Sequence, residues 1–232
     1  MVRNIATAEE TYRVGAVESS IQHAHVVLGA VSNLDVVSDV PIYLAAWAHH
    51  IKGRGYEAQS NWQQAALHYE CSLVTKFALQ EWLPDLPLIA TQIKLGLVEL
   101  FQSPAEAAAR LLSVSDSLAA HSRRPNNRLY RNLLEDSWVG LAEAYLATGY
   151  PNLAIRQASS ALPLARRLHD RVGEIRILYL LHRASALSLI EARKRILQIL
   201  HHDPKSARHP RVTMALQNLE IELVEEATPH YT

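Results

Sequence analysis

The dipeptides that most readily close a β-hairpin, Asn-Gly, Asp-Gly and Gly-Gly, are all absent from this chain of 232 residues, which has only eight glycines. Two-residue hairpin turns need positive φ at positions those pairs supply, so the chain has almost no vocabulary for antiparallel strands. An all-β fold is excluded. Apolar residues make up 49% and charged residues 20% of the chain, enough to bury the core of one domain or a tight pair. The single Cys71 rules out an internal disulfide. No apolar run approaches the roughly 18 residues of a membrane helix, and Met1-Val2-Arg3-Asn4 lacks the apolar start of a signal peptide. These features predict a soluble intracellular chain, in the cytoplasm or nucleus, with no membrane contact.

Helical spacing runs from end to end. Thr7-Ala8-Glu9-Glu10 has the pattern of a capping box, and Val14, Val17, Ile21, Ala24, Leu28 and Val31 then recur every three or four residues. The spacing predicts one long helix over residues 8–31. Pro41 opens a second helix expected to end near Gly53 and Gly55, and a partner follows over about residues 60–81. Residues 82–87 hold two prolines three apart and read as a linker. Helices are expected at 88–101 and, after Ser103-Pro104-Ala105-Glu106, at 104–120. A polar loop at 121–127 precedes helices at 129–148 and 151–169, turned at Gly149-Tyr150-Pro151. Further helices at 171–188 and 190–201 lead to a last one striped by Val212, Leu216, Leu219 and Leu223.

Paired helices invite a search for internal repeats. Trp138-Val139-Gly140-Leu141-Ala142-Glu143-Ala144-Tyr145, followed by Gly149, Ala154 and Ala161, resembles the signature of the tetratricopeptide repeat (TPR), with Ala142 where that family usually has glycine. Small residues let two helices close, and large ones fill the space between hairpins. The same frame fits Gly53, Tyr56, Trp62, Ala65, Tyr69 and Ser72. It fits more loosely through Gly96 with Ala108 and Ala192 with Pro204. Ala65, Ala108, Ala154 and Ala192 lie 43, 46 and 38 residues apart, whereas the common repeat is about 34 residues long. The chain is thus similar to the long-helix variety, as in MalT-like bacterial regulators and kinesin light chains. The resemblance implies an all-α, right-handed solenoid of about four hairpins with an extra helix at each end. Residues 1–39 would be the N-terminal long helix and turn, 40–205 the repeats, and 206–232 a capping helix and tail.

In such repeats the first helix of each pair lines the concave surface. The resemblance places Trp47, His50 and Arg54 there, then Ile93 and Leu97, then Asp136, Val139, Glu143 and Leu146, and finally Glu174, Ile177 and Leu181. Chaperone-binding members grip a terminal carboxylate with Lys, Asn and Arg at these positions. Here Arg54 replaces the Asn, and Asp136 and Glu143 would repel the ligand, so that clamp is rejected. Six aliphatic side chains left in water would form an unusually large patch. They therefore predict a cover, either the first helix or, preferably, a helix or extended segment of a partner, apolar with an acidic flank.

The balanced total of 23 basic and 23 acidic residues hides a split. Residues 1–116 carry a net −5, and residues 123–211 a net +9 with fourteen arginines. Such a dipole steers acidic partners, permits head-to-tail contact between copies, and supports an alternative reading in which the Arg-rich half contacts nucleic acid. No phosphate-loop glycine–lysine motif, G-x-S-x-G elbow or H-E-x-x-H pair occurs. Gly53-Arg54-Gly55 reads as a helix end. His23 and His25, His49 and His50, and His201 and His202 diverge, while His68 with Cys71 offers only two ligands. The expectation is a non-catalytic interaction module, a scaffold or regulatory subunit, with no metal and no cofactor.

Overall fold

The computed structural model describes residues 1–34, 38–79, 85–122 and 128–221. Eleven α-helices occupy them: α1 (Val2–Arg13), α2 (Val17–Ser32), α3 (Asp39–Ala58), α4 (Trp62–Phe77), α5 (Asp85–Glu99), α6 (Pro104–Ser122), α7 (Arg128–Ala147), α8 (Pro151–Leu168), α9 (Arg171–Arg183), α10 (Leu189–His202) and α11 (Pro210–Asn218). A short 3-10 turn, Pro204–Arg208, precedes α11. No strand occurs among the described residues.

From α1 to α10 each helix packs on the next, and a second set of contacts joins α1 to α3, α5 to α7, α7 to α9 and α9 to α11. The odd-numbered helices therefore form the inner layer of a curved stack, because the layer on the inside of a bend is the one whose members crowd together. The even-numbered helices lie outside. Five hairpins and a closing helix make up this solenoid.

The N-terminal helix expected over 8–31 is instead a hairpin. The stripe is continuous in spacing, yet Gly15 adopts φ +84° and reverses the chain between α1 and α2. Val14, read as part of the stripe, is exposed at the turn. Buried Ala8 on α1 meets α2, where Ser20 Oγ donates to the Ala8 carbonyl at 2.8 Å. Thr7 is not a cap: it sits inside α1 and its Oγ1 donates to the Arg3 carbonyl, 2.9 Å away.

Gly53 and Gly55 likewise do not end a helix. Both are buried inside α3, which runs on to Ala58. A Cβ on Gly53 would meet the Tyr69 ring at 2.7 Å, and one on Gly55 would meet Ile21 Cγ1 at 2.5 Å. Gly96 and Gly140 repeat this device: a Cβ there would lie 2.9 Å from Leu111 Cγ and 2.5 Å from Leu97 Cδ2 respectively. Gly53, Gly96 and Gly140 fall 43 and 44 residues apart, so the repeat is set by where a first helix must come close to a large side chain of a neighbouring helix.

The central hairpin follows the spacing closely. Gly149 turns with φ +83°, Pro151 begins α8, and His169 closes it in the left-handed region. Ala154, Ala158, Ala161 and Ala165 are buried against Val139, Ala142, Ile177, Leu180 and Leu181, with Trp138 and Tyr145 packed alongside. Helix α9 stops at Arg183 rather than 188, because Ser185 takes φ 62° and Ser188 caps α10 by accepting from the Glu191 amide. Pro87 lies within the first turn of α5, where a missing N–H costs little. Of the loop expected at 121–127, residues 121 and 122 belong to α6 and 123–127 lie outside the described residues; of the 82–87 linker, 85–87 open α5 and 82–84 lie outside them, as does the tail beyond Ile221.

Candidate functional site

Charged side chains on the inner helices converge on one another across the hollow of the stack. Glu57 on α3 accepts a hydrogen bond from the Tyr69 hydroxyl at 2.8 Å and faces Lys94 Nζ of α5 at 3.4 Å. Glu143 on α7 accepts from Arg176 Nη2 of α9 at 2.8 Å and from Arg211 Nη1 of α11 at 3.3 Å. Arg211 also places Nη2 3.8 Å from Glu57 Oε1. One side chain on the last helix thus reaches both the third and the seventh. At the N-terminal end Arg54 pairs with Glu9 of α1 at 3.0 Å and lies over the Tyr12 ring.

The central groups, Glu57, Arg176 and Arg211, are largely withdrawn from water. Arg176 is only 7% exposed. Burial alone would raise the carboxyls of Glu57 and Glu143, but the cations beside them outweigh it and hold both below the ordinary range. For Glu57 those cations are Lys94 and Arg211, helped by the Tyr69 bond; for Glu143 they are Arg176 and Arg211. Asp136 is raised by burial, against the pull of Lys94 and Arg176. Burial and the neighbouring Arg176 charge lower the Arg211 guanidinium. Arg176 Nε and Arg211 Nη2 are buried without a hydrogen-bond partner. Opposite charges shielded in this way attract strongly, and removing one leaves the other stranded at a cost of about 3–5 kcal/mol.

A second polar junction joins α3, α4 and α5. Thr91 Oγ1 donates to the Pro87 carbonyl at 2.9 Å and accepts from Lys76 Nζ at 2.6 Å. Its one proton being so used, His50 Nδ1 must carry the hydrogen in the 3.0 Å contact between His50 and Thr91. Burial pushes Lys76, fully enclosed, down to about 8, and holds His50 well below its ordinary value with help from the Lys76 charge. Trp47 stacks on His50. Nearby, His49 and His68 meet Nδ1 to Nδ1 at 2.9 Å, sharing one hydrogen. Burial, then the Lys52 charge, brings His68 down to about 4.

Of the twelve positions expected to line the groove, Trp47, His50, Arg54 and Glu143 take part in these inner polar contacts. The aliphatic ones do not line a groove. Ile93 and Leu97 are buried with Leu111, Val114, Leu118 and Leu141, while Val139, Ile177 and Leu181 are buried with the α8 alanines. Leu146 packs against that second cluster. The neighbouring helices of the chain itself provide the cover, so neither the first helix nor a partner is needed for it. Val139 and Glu143 lie within about 40° of each other on α7, yet one is in the seam between helices and the other in the hollow. Burying an aliphatic side chain is worth about 1.5–3 kcal/mol, which decides which of two neighbours takes the seam. Glu174, too, lies elsewhere, on the side of α9 that meets α8.

The residues missed by sequence reasoning are Glu57, Lys94, Arg176 and Arg211. Two of them carried a signal. Lys94 is the sole charge between Leu86 and Val98, and Arg176 interrupts the apolar run from Ile175 to Leu181. A charge kept in such a run marks a buried ion pair or a site. Among the described residues no group of three or more His, Cys, Asp or Glu side chains is placed to hold a metal ion, and no helix is long and apolar enough to cross a membrane.

No family model matches the chain, and no curated protein matches it. A solved structure does: a Podosopora anserina protein described as a kinesin light chain with nearly identical TPR-like repeats. It shares 18% sequence identity with this chain over 89% of this chain and 96% of its own, at a TM-score of 0.60. The fold is that of a TPR-like helical solenoid.

Proposed function

We propose that this chain is a protein-interaction module, a scaffold or regulatory subunit, that takes a segment of a partner protein along its inner face. Solenoids of this type present extended concave surfaces on which binding is the whole activity. The observation that carries the reading is the concentration of charge on that face, from Glu9 and Arg54 through Glu57 and Lys94 to Glu143, Arg176 and Arg211. Monomeric cores rarely keep so many charges where aliphatic packing would serve as well or better. The partner segment is polar, with acidic groups that compete for Arg176 and Arg211. Charges of this kind set partner choice and docking rate more than raw affinity.

No catalysis is proposed. The nucleic-acid reading loses support because Arg176 and Arg211, which belong to the Arg-rich half, are largely enclosed in ion pairs with Glu143 rather than displayed on an open basic face. Photo-crosslinking tests the inner-face reading directly. A crosslinking residue in place of Arg54 or Lys94 should capture partner protein from native extract, while one in place of the exposed Val74 of α4 should not. Capture only at Val74 would move the site to the outer face.

A further inference from the structure

On α9, Glu174 precedes Arg176 by two residues and therefore faces roughly the opposite way, away from the hollow. It is 5% exposed. Its Oε1 accepts from Arg166 Nε of α8 at 2.8 Å, and its Oε2 accepts from Arg171 Nη1 at 3.1 Å. A third guanidinium, Arg195 of α10, is held by Glu191 through Nε at 2.6 Å. Arg166, Arg171 and Arg195, with Gln198 and His202, line a concavity of about 320 Å³ where the end of α8, the start of α9 and the second half of α10 meet.

The construction is unusual in what it leaves over. Each guanidinium has five N–H groups, and the internal pairs occupy the Nε of Arg166, one Nη1 hydrogen of Arg171 and the Nε of Arg195. The remaining donors belong to side chains that are between a third and a half exposed, so a ligand can reach them. The buried Glu174 fixes two of the three forks before any ligand arrives, which lowers the ordering cost of binding. The lining carries three arginines against Glu174 alone, and Glu191 leaves the concavity still positive.

We propose that this concavity is a binding site for a phosphomonoester, a terminal phosphate group carried by a small molecule or a modified side chain. Such a group brings a charge of about −1.5 to −2 and three acceptor oxygens, matching converging forks that a singly charged carboxylate would leave underused. A bridged phosphodiester carries one charge per phosphate and gains affinity from many contacts in a row, whereas the cations here surround one hollow. The site lies on the far side of α9 from the inner-face network, and its existence does not depend on what binds there.

The test is calorimetric titration of the full chain at low ionic strength with inorganic phosphate, O-phosphoserine and adenosine monophosphate, and with a single-stranded oligonucleotide blocked at both ends as the diester arm. One saturable site for a monoester is expected, and the tightest of the three probes identifies the source of the group. Arg195→Gln, at a half-buried position of α10, should weaken it by about tenfold or more, the loss of a charge-assisted hydrogen bond. Arg171→Lys, which keeps the charge but removes the fork, should also weaken it, with circular dichroism confirming the fold. Arg156→Gln, on an exposed part of α8 outside the concavity, should leave it unchanged. The absence of saturable monoester binding, or affinity unaltered in Arg195→Gln, overturns the proposal. Oligonucleotide binding without monoester binding also overturns it and assigns the patch to nucleic acid.

Discussion

Replacing Glu143 by Gln keeps the shape of the side chain and removes only its charge. In the folded chain that carboxylate holds Arg176 at 2.8 Å and Arg211 at 3.3 Å, with side chains exposed by 9% and 16%. The substitution leaves two guanidiniums facing each other with little water to screen them. Breaking a buried pair by removing one partner costs about 3–5 kcal/mol, and Glu143 serves two partners. At roughly 2–4 °C per kcal/mol for a chain of this size, the melting point should fall by about 6–20 °C. Urea unfolding followed by circular dichroism measures the loss, and the Glu143→Gln, Arg211→Met double variant separates its parts. The double variant should lose less than the sum of the two single variants, because each single one strands a charge. The pH dependence has a definite sign. The folded carboxyl of Glu143 is held below its ordinary value of 4.5, so its stabilisation is present above that value and is lost as pH falls through the lowered one. A Glu143→Gln variant as stable as the parent at pH 7 would refute the convergence of α7, α9 and α11 on this residue.

Three further outcomes follow from the packing and titration. Ala154→Leu should destabilise by about 1–3 kcal/mol, since Ala154 is buried where α8 meets α7 and no space remains for a larger side chain; an unchanged urea midpoint would show the register is wrong. Leu181→Asp puts a carboxylate into the cluster around the α8 alanines and should lower thermal stability rather than selectively remove partner binding, so loss of binding with an intact melt would return Leu181 to an open groove. Burial, then the charges of Asp170 and Asp136, raise Glu135 to about 8, so it is protonated at neutral pH and hydrogen-bonded with Asp170. Its stabilisation is complete below about pH 4.5 and lost as pH rises through about 8, by up to about 1.4 kcal/mol per pH unit. Glu135→Gln should abolish that slope in urea titrations at pH 5–8, and a slope unchanged in the variant would refute the assignment.

The α7–α8 hairpin was legible because everything that makes it is local. Trp138 and Tyr145 lie two turns apart, Gly149 supplies the positive φ, Pro151 starts the next helix, and Ala154 is the size that a close crossing demands. Spacing of this kind is written into a few dozen consecutive residues. The break at Gly15 was not legible, although it is local too. The apolar stripe runs through it without a change of phase, and one glycine among helix-compatible neighbours does not announce a reversal. What decided it was Ala8 and Ser20 closing on each other, a contact between helices.

The candidate site lies further still from the sequence. Glu57 and Arg211 are 154 residues apart and meet only because the curvature built up over the seven intervening helices brings α11 back towards α3. The same curvature pressed Ile93, Val139 and Ile177 into the seams between helices and left their charged neighbours facing the hollow. Helix type, hairpin pairing and the rough period were determined by the sequence alone, because backbone preferences and side-chain size act over a turn or two. Which face points inward, and which charges meet there, was decided by the tertiary structure, since a small rotation at each repeat accumulates along the stack.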